Sequence, residues 1–219
     1  MLRDQKAIDF FSNKVVLTKI NGKEDTVLAQ TYKISAYPTS VLINKDGVEI
    51  DRIVGYAEVD EFLKNITDYQ QGIGTLNDLL DKIEVNFTRE MAYEIADKYK
   101  YRSGLEEAKI WYKKVIETGE FTDSLSGECR MSLANMYYRN KDYDKSISNY
   151  QSITKDFKGS NFDEVANIWI GLAILKKGDT TNAITQFENF VKEFPNSEDI
   201  EYVEGRLRKL KGLPEEKNN

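Results

Sequence analysis

Hydrophobic and polar positions change their period several times along the chain, and each change marks a predicted element. In "AIDFFSNK" (residues 7–14) apolar residues recur at helical spacing, which predicts a short helix ending near Asn13. Residues 15–20, "VVLTKI", are apolar and β-branched and predict a buried strand. "DTVLAQTYKI" (25–34) returns to helical spacing, with Val27, Leu28 and Tyr32 on one face. "SVLI" (40–43) is a second strand, "NKDG" (44–47) a turn in which Gly47 supplies the positive φ, and "VEIDRIV" (48–54) an alternating antiparallel partner. "EVDEFLKNITDY" (58–69) is an amphipathic helix that turns Val59, Phe62, Leu63 and Ile66 inward. A hinge with two glycines, "QQGIG", then leads into a linking helix that ends near Ile83.

From residue 88 onward the pattern repeats. Ala96, Ala134 and Gly171 are followed 12 residues later by Ala108, Ser146 and Ala183, 16 later by Tyr112, Tyr150 and Phe187, and 19 later by Val115, Ile153 and Phe190. Tyr99, Tyr137 and Ile174 form a further column, and Pro195 closes the third unit. Physically this is a helical hairpin used three times: small residues on the two helices let them approach, and aromatic rings fill the space around the crossing. "RSG" (102–104), "RNKD" (139–142) and "KKGD" (176–179) are the turns inside the hairpins. "NSEDIEYVEGRLRKLKG" follows as a capping helix, with Ser197 as N-cap, acids in its first turn and bases in its last.

Composition changes this picture mainly by exclusion. The net charge of −6 disfavours nucleic acid and anionic lipid as partners, since both are bound by basic surface. The longest apolar run, "IWIGLAIL" (168–175), is too short to span a bilayer, so no membrane insertion is expected. The chain has no His, which excludes a Ser/His/Asp triad, a Cys/His pair and any His-ligated metal site. It has one Cys, Cys129, and hence neither an intramolecular disulfide nor a C-x-x-C motif. On helical spacing Cys129 reads as a small buried hydrophobe. No metal and no cofactor is expected.

The stretch "YKISAYPTSVLINKDGVEIDRIVGY" resembles the thioredoxin family, from the helix before the cis-proline through the last hairpin to its Gly. The resemblance implies that Pro38 is the cis-proline and that the backbone of Tyr37 pairs with an extended substrate. The family's W-C-x-x-C motif and central strand would lie ahead of "MLRDQKAIDFF", which implies an upstream segment carrying the thiols and, with it, any export signal. Without that strand "VVLTKI" and "SVLI" would each leave an open edge. The repeat in turn resembles the tetratricopeptide (TPR) repeat over residues 89–195, although its units recur every 37–38 residues rather than about 34. This resemblance implies a partner-binding face lined by the first helix of each hairpin. Carried over by column, the face comprises Glu90, Tyr93, Asp97 and Lys100, then Glu128, Met131, Asn135 and Tyr138, then the apolar set Val165, Ile168, Leu172 and Leu175.

The expected architecture is therefore α/β plus all-α. Residues 1–70 form a partial thioredoxin-like domain, 71–87 a hinge and linking helix, and 88–219 an α-solenoid of three TPR-like hairpins with a capping helix. Two functions fit it. In one, the chain belongs to a thiol–disulfide oxidoreductase, with Tyr37 and Pro38 left as its substrate-side contacts and the catalytic cysteines elsewhere. In the other, it is a non-catalytic adaptor that binds a protein or peptide on Tyr93, Asp97, Met131, Asn135 and Tyr138. Compartment follows the same division: cytoplasmic as written, periplasmic or exported if an upstream signal segment exists. Partner identity and oligomeric state are left open.

Overall fold

A computed structural model describes residues 4–13 and 15–213. By its packing the chain divides into two units, one up to Trp111 and one from Tyr112 onward.

The first unit opens with α1 (Gln5–Asn13) and α2 (Thr26–Thr31), which Asp25 caps by accepting from the Leu28 N–H at 2.9 Å. β1 (Thr39–Ile43) and β2 (Glu49–Val54) form an antiparallel hairpin around a turn in which Gly47 has φ +77°. The Tyr37–Pro38 peptide bond is cis. α3 (Val59–Gln70) lays Phe62 and Ile66 against Leu42, and Phe10, Phe11, Ile50 and Leu63 complete that core. α4 (Leu76–Val85) follows the hinge, where Gly72 and Gly74 take positive φ, and α5 (Arg89–Lys100) packs on it. α6 (Leu105–Glu117) starts after a turn at 101–104.

Three expectations for this unit are corrected. Residues 15–20 form no strand, and Val16 is 94% exposed, with Leu17 and Ile20 near 45%. A strand is held by its ladder, and among the described residues the sheet holds only β1 and β2, which leaves this segment without a neighbour to bond. The second helix is shorter than expected and Val27 on it is exposed. β2 alternates in sequence but not in burial: the charged pair Asp51 and Arg52 is buried, because Leu76, Lys98 and Arg102 bond the Asp51 carboxylate while Glu49 and the Tyr32 and Tyr101 carbonyls take the Arg52 guanidinium.

The second unit contains most of the repeat. α7 (Ser124–Arg139) with α8 (Tyr143–Asp156), and α9 (Asn161–Lys176) with α10 (Thr180–Glu193), are the second and third hairpins, and α11 (Ile200–Leu210) follows. The columns seen in sequence are interior columns. Ala134, Ser146, Tyr150, Ala183 and Phe187 have no exposed surface, nor do Ala96 and Ala108 in the first hairpin. Their small residues are required. The Ser146 hydroxyl donates to the Ala134 carbonyl at 3.1 Å, and a Cβ at Gly171 would lie 2.5 Å from the Phe187 ring. Burying one such ring contributes about 1.5–3 kcal/mol, so the columns carry much of the unit's stability.

The apolar positions of α9 are covered by the chain's own capping helix and core. Ile168 is buried with Phe187, Phe190 and Val203, Leu172 and Leu175 pack on that cluster, and Val165 joins the cluster around Tyr150. Ser197 is not the cap residue of α11. Its hydroxyl instead accepts the Asp199 N–H at 3.2 Å, and Asp199 occupies the N-cap without a side-chain bond.

Candidate functional site

Two places gather side chains suited to contacting another molecule, one in each unit. In the first unit the loop before β1 presents Tyr37, 61% exposed, on top of Gly22. A Cβ at Gly22 would stand 2.8 Å from the Tyr37 ring, so only glycine leaves the ring this seat. A groove of about 410 Å³ runs beside it, lined by Gln30, Lys33, Tyr37 and Ser103 among others. The Pro38 carbonyl accepts from Gly55 N–H at 2.8 Å, which ties the loop to the end of β2. Tyr37's own N–H and C=O have no partner among the described residues. The groove can hold an extended segment, but it brings no thiol with it: Cys129, the only cysteine, is fully buried in α7 of the other unit.

The second place is an aromatic strip across α7, α9 and α11. Tyr138 meets Trp169 edge to face at 5.1 Å and Tyr143 at 5.6 Å, and Trp169 stacks on Tyr150 at 6.2 Å. Tyr138, Tyr143 and Trp169 are half-buried, and Tyr202 is exposed. Arg206 lies over the Tyr202 ring and donates to its hydroxyl at 3.1 Å. Burial pushes the Tyr138 phenol above its ordinary range; the Tyr143 and Tyr202 phenols add to this and Arg206 opposes it. Asn135 accepts from the fully buried Tyr150 hydroxyl at 2.7 Å, so its amide is fixed in one orientation.

The expected partner face is only partly a surface. Asn135 and Tyr138 remain half-exposed, whereas Met131 is buried with Ala134, Tyr150, Phe157 and Ile170. Met131 is thus a core residue, because the next hairpin packs over it. Tyr93 and Asp97 sit half-buried on α5 in the first unit, with Asp97 accepting from Lys100. Sequence reasoning missed Tyr143, Trp169, Tyr202 and Arg206. These positions share no repeat column with Tyr138, so periodicity does not single them out.

It also missed an ionic network inside the first unit. The Asp51 carboxylate, with no exposed surface, accepts from four donors: the Arg52 N–H at 2.7 Å, the Leu76 N–H at 2.8 Å, Lys98 Nζ at 3.1 Å and Arg102 Nη2 at 2.6 Å. Arg52 in turn pairs with Glu49 and donates to the carbonyls of Tyr32 and Tyr101. Glu94 lies 3.8 Å from Lys98, so acids Glu49, Asp51 and Glu94 balance bases Arg52, Lys98 and Arg102. Burial pushes the Tyr69 phenol and the Glu94 carboxyl above their ordinary values, against the pull of Lys98 in both cases. A charge-balanced, fully bonded cluster of this kind anchors structure rather than performing acid–base chemistry. No cluster of three or more metal-ligating side chains occurs among the described residues.

Comparison with known proteins agrees with this division. Residues 2–70 match the family model of the thioredoxin-like domain, and residues 131–205 match that of the outer membrane lipoprotein family YfiO. Over 52 residues, 24% of this chain, the sequence is 44% identical to thioredoxin of Chlamydia pneumoniae, of which it covers 49%. Over 118 residues, 53% of this chain, it is 22% identical to the intraflagellar transport protein 88 homolog of Homo sapiens, of which it covers 14%. The chain thus spans about half of the thioredoxin and a small part of the transport protein.

Proposed function

We propose, for a chain that joins a thioredoxin-like part to TPR-like helical repeats, that its work is to bind a protein partner through the repeats. The observation that supports this reading is the aromatic strip of Tyr138, Tyr143, Trp169 and Tyr202 with Arg206 at its end. Tyr, Trp and Arg are the residue types that dominate binding energy at protein interfaces, and here they lie half-exposed over a filled core. Asn135 and Tyr138 belong to this contact surface, and Tyr93 and Asp97, half-buried on α5 of the first unit, would be partner contacts of that unit.

The thioredoxin-like part adds a second contact. Tyr37 would hold an extended segment by backbone pairing, with Pro38 next to it and the groove beside Gly22 taking the segment's side chains. A second reading is favoured by this loop and by the match of residues 2–70 to the thioredoxin-like family model: the same face serves thiol–disulfide exchange when a dithiol is supplied against it. The 219 residues hold no such dithiol, so that reading requires another segment or another chain to bring it.

Quantitative affinity capture from the native cells, wild type against Tyr138→Ala/Trp169→Ala, tests the adaptor reading. Partners lost in the variant while Cys129→Ser retains them support it. Identical partner sets for all three proteins would refute it. A dithiol-dependent reductase assay on the 219-residue chain separates the readings further, since turnover there would overturn both.

A further inference from the structure

The polar atoms of the aromatic strip are mostly donors. Tyr138 and Tyr143 hold their hydroxyls, and Trp169 its indole N–H, without a hydrogen-bond partner among the described residues. None of the three atoms is fully buried, so each opens to solvent. Arg206 donates its Nε to the Tyr202 hydroxyl at 3.1 Å, and its two Nη groups have no partner among the described residues. Glu204, on the same helix, is paired with Arg208 instead. An indole N–H and a guanidinium can donate but not accept. The rings between these donors are braced edge to face on one another, and Trp169 is stacked on the fully buried Tyr150, which holds them in place.

A segment that fits this strip must bring apolar surface and open acceptors, and few donors of its own. The carbonyls of an α-helix or a paired strand are already bonded within their own ladders. Polyproline II differs: it has no internal hydrogen bonds, and each proline carries a carbonyl with no N–H beside it. Its conformation is also preformed, so docking on aromatic side chains orders little that was free before. We infer, building on the adaptor reading above, that the partner docks on Tyr138, Tyr143 and Trp169 through a proline-rich segment in the polyproline II conformation. An acidic side chain beyond the prolines is taken by the two Nη groups of Arg206, whose planar fork matches a carboxylate. The segment belongs to another protein, because the three prolines of this chain stand far apart, at 38, 195 and 214.

Trp111→Phe makes Trp169 the sole tryptophan, so its emission reports the strip directly. The probe is a blocked peptide of about ten prolines followed by a pair of glutamates, titrated into this full-length variant. The expected result is a saturable change in Trp169 emission below about 1 mM peptide. Adding Tyr138→Ala should weaken binding about tenfold or more, as loss of a central aromatic contact does. Tyr138→Phe keeps the ring and drops the donor, and should weaken it about threefold to tenfold. Arg206→Glu should weaken the glutamate-ended peptide and favour the same peptide ended in lysines. A glycine–serine peptide carrying the same glutamates should not bind. Far-UV circular dichroism checks that each variant is folded. The inference is overturned by the absence of saturable binding, by equal binding of the glycine–serine peptide, or by an affinity that Tyr138→Ala leaves unchanged. The adaptor reading is decided separately, by the partners that Tyr138→Ala/Trp169→Ala loses in capture from cells.

Discussion

Removing the Asp51 carboxylate is the sharpest test of how the first unit is held together. Asp51→Asn keeps the shape but deletes the charge, which leaves Lys98 and Arg102 facing an amide inside the protein. Lys98 is 8% exposed and Asp51 not at all, so water cannot replace the lost partner. Breaking a buried ion pair by deleting one partner costs about 3–5 kcal/mol. Arg102 keeps 17% of its side-chain surface and Glu49 beside it 19%, which places the loss at the lower end, about 3 kcal/mol. Urea denaturation is the assay. Trp169→Phe in the background leaves Trp111 as the sole tryptophan, reporting the first unit. With a slope of about 1.5–2 kcal/mol/M for a unit of this size, the midpoint should fall by about 1.5–2 M. The loss should persist in about 1 M salt, because screening acts on exposed charges far more than on buried ones. A loss below about 1 kcal/mol, or one abolished by salt, would refute the claim that this network is buried and structural.

Three further outcomes are expected. Gly171→Ala should destabilise the second unit by about 1–3 kcal/mol despite alanine's better helix propensity, because the new Cβ meets the fully buried Phe187 ring; a stabilised variant in thermal or urea unfolding would contradict this. Burial holds the phenols of Tyr69, Tyr138 and Tyr150 above the ordinary value near 10, so above about pH 10 the unfolded chain releases protons that the folded one keeps, and stability should fall there and not below. Phenolate absorbance in native and denatured protein checks that order, and Tyr150→Phe should flatten the alkaline decline. The hydrogen bond from Arg130 holds the Asp156 carboxyl below its usual range, so its stabilisation is full above about pH 3.9 and is lost as pH falls through the lowered folded value. Asp156→Asn should remove that part of the acid slope in equilibrium denaturation and, with 23% of the side chain exposed, cost about 1 kcal/mol at neutral pH.

The repeat was legible because it is periodic. A small residue at 134 and another at 146 can only recur 37 residues later, at 171 and 183, if the same crossing is built twice, and all four positions are buried. The last hairpin of the first unit was legible for a local reason: "NKDG" specifies its turn whatever surrounds it. "VVLTKI" was misread because strand propensity is a statement about side chains, whereas a strand exists only where a neighbour accepts its backbone bonds. Of the partner face expected by column, Asn135 and Tyr138 lie half-exposed, whereas Met131 was assigned to the same face although the next hairpin covers it.

The sequence by itself determined the order of the helices and of the β-hairpin, the three-fold recurrence of the helical hairpin and the absence of the residues that dithiol or histidine chemistry needs, since composition and period do not depend on distant contacts. Tertiary structure alone decided the rest. It set Asp51 and Arg52 inside, against the alternation of their own strand, because Leu76, Lys98 and Arg102, 25 to 51 residues away from Asp51, converge on its carboxylate, and the Tyr32 and Tyr101 carbonyls converge on Arg52. It also brought Tyr138, Trp169 and Tyr202 into one strip across three helices. Groups so far apart in the chain meet only when packing closes the loops between them, and a single stretch of sequence holds no record of which loops will close.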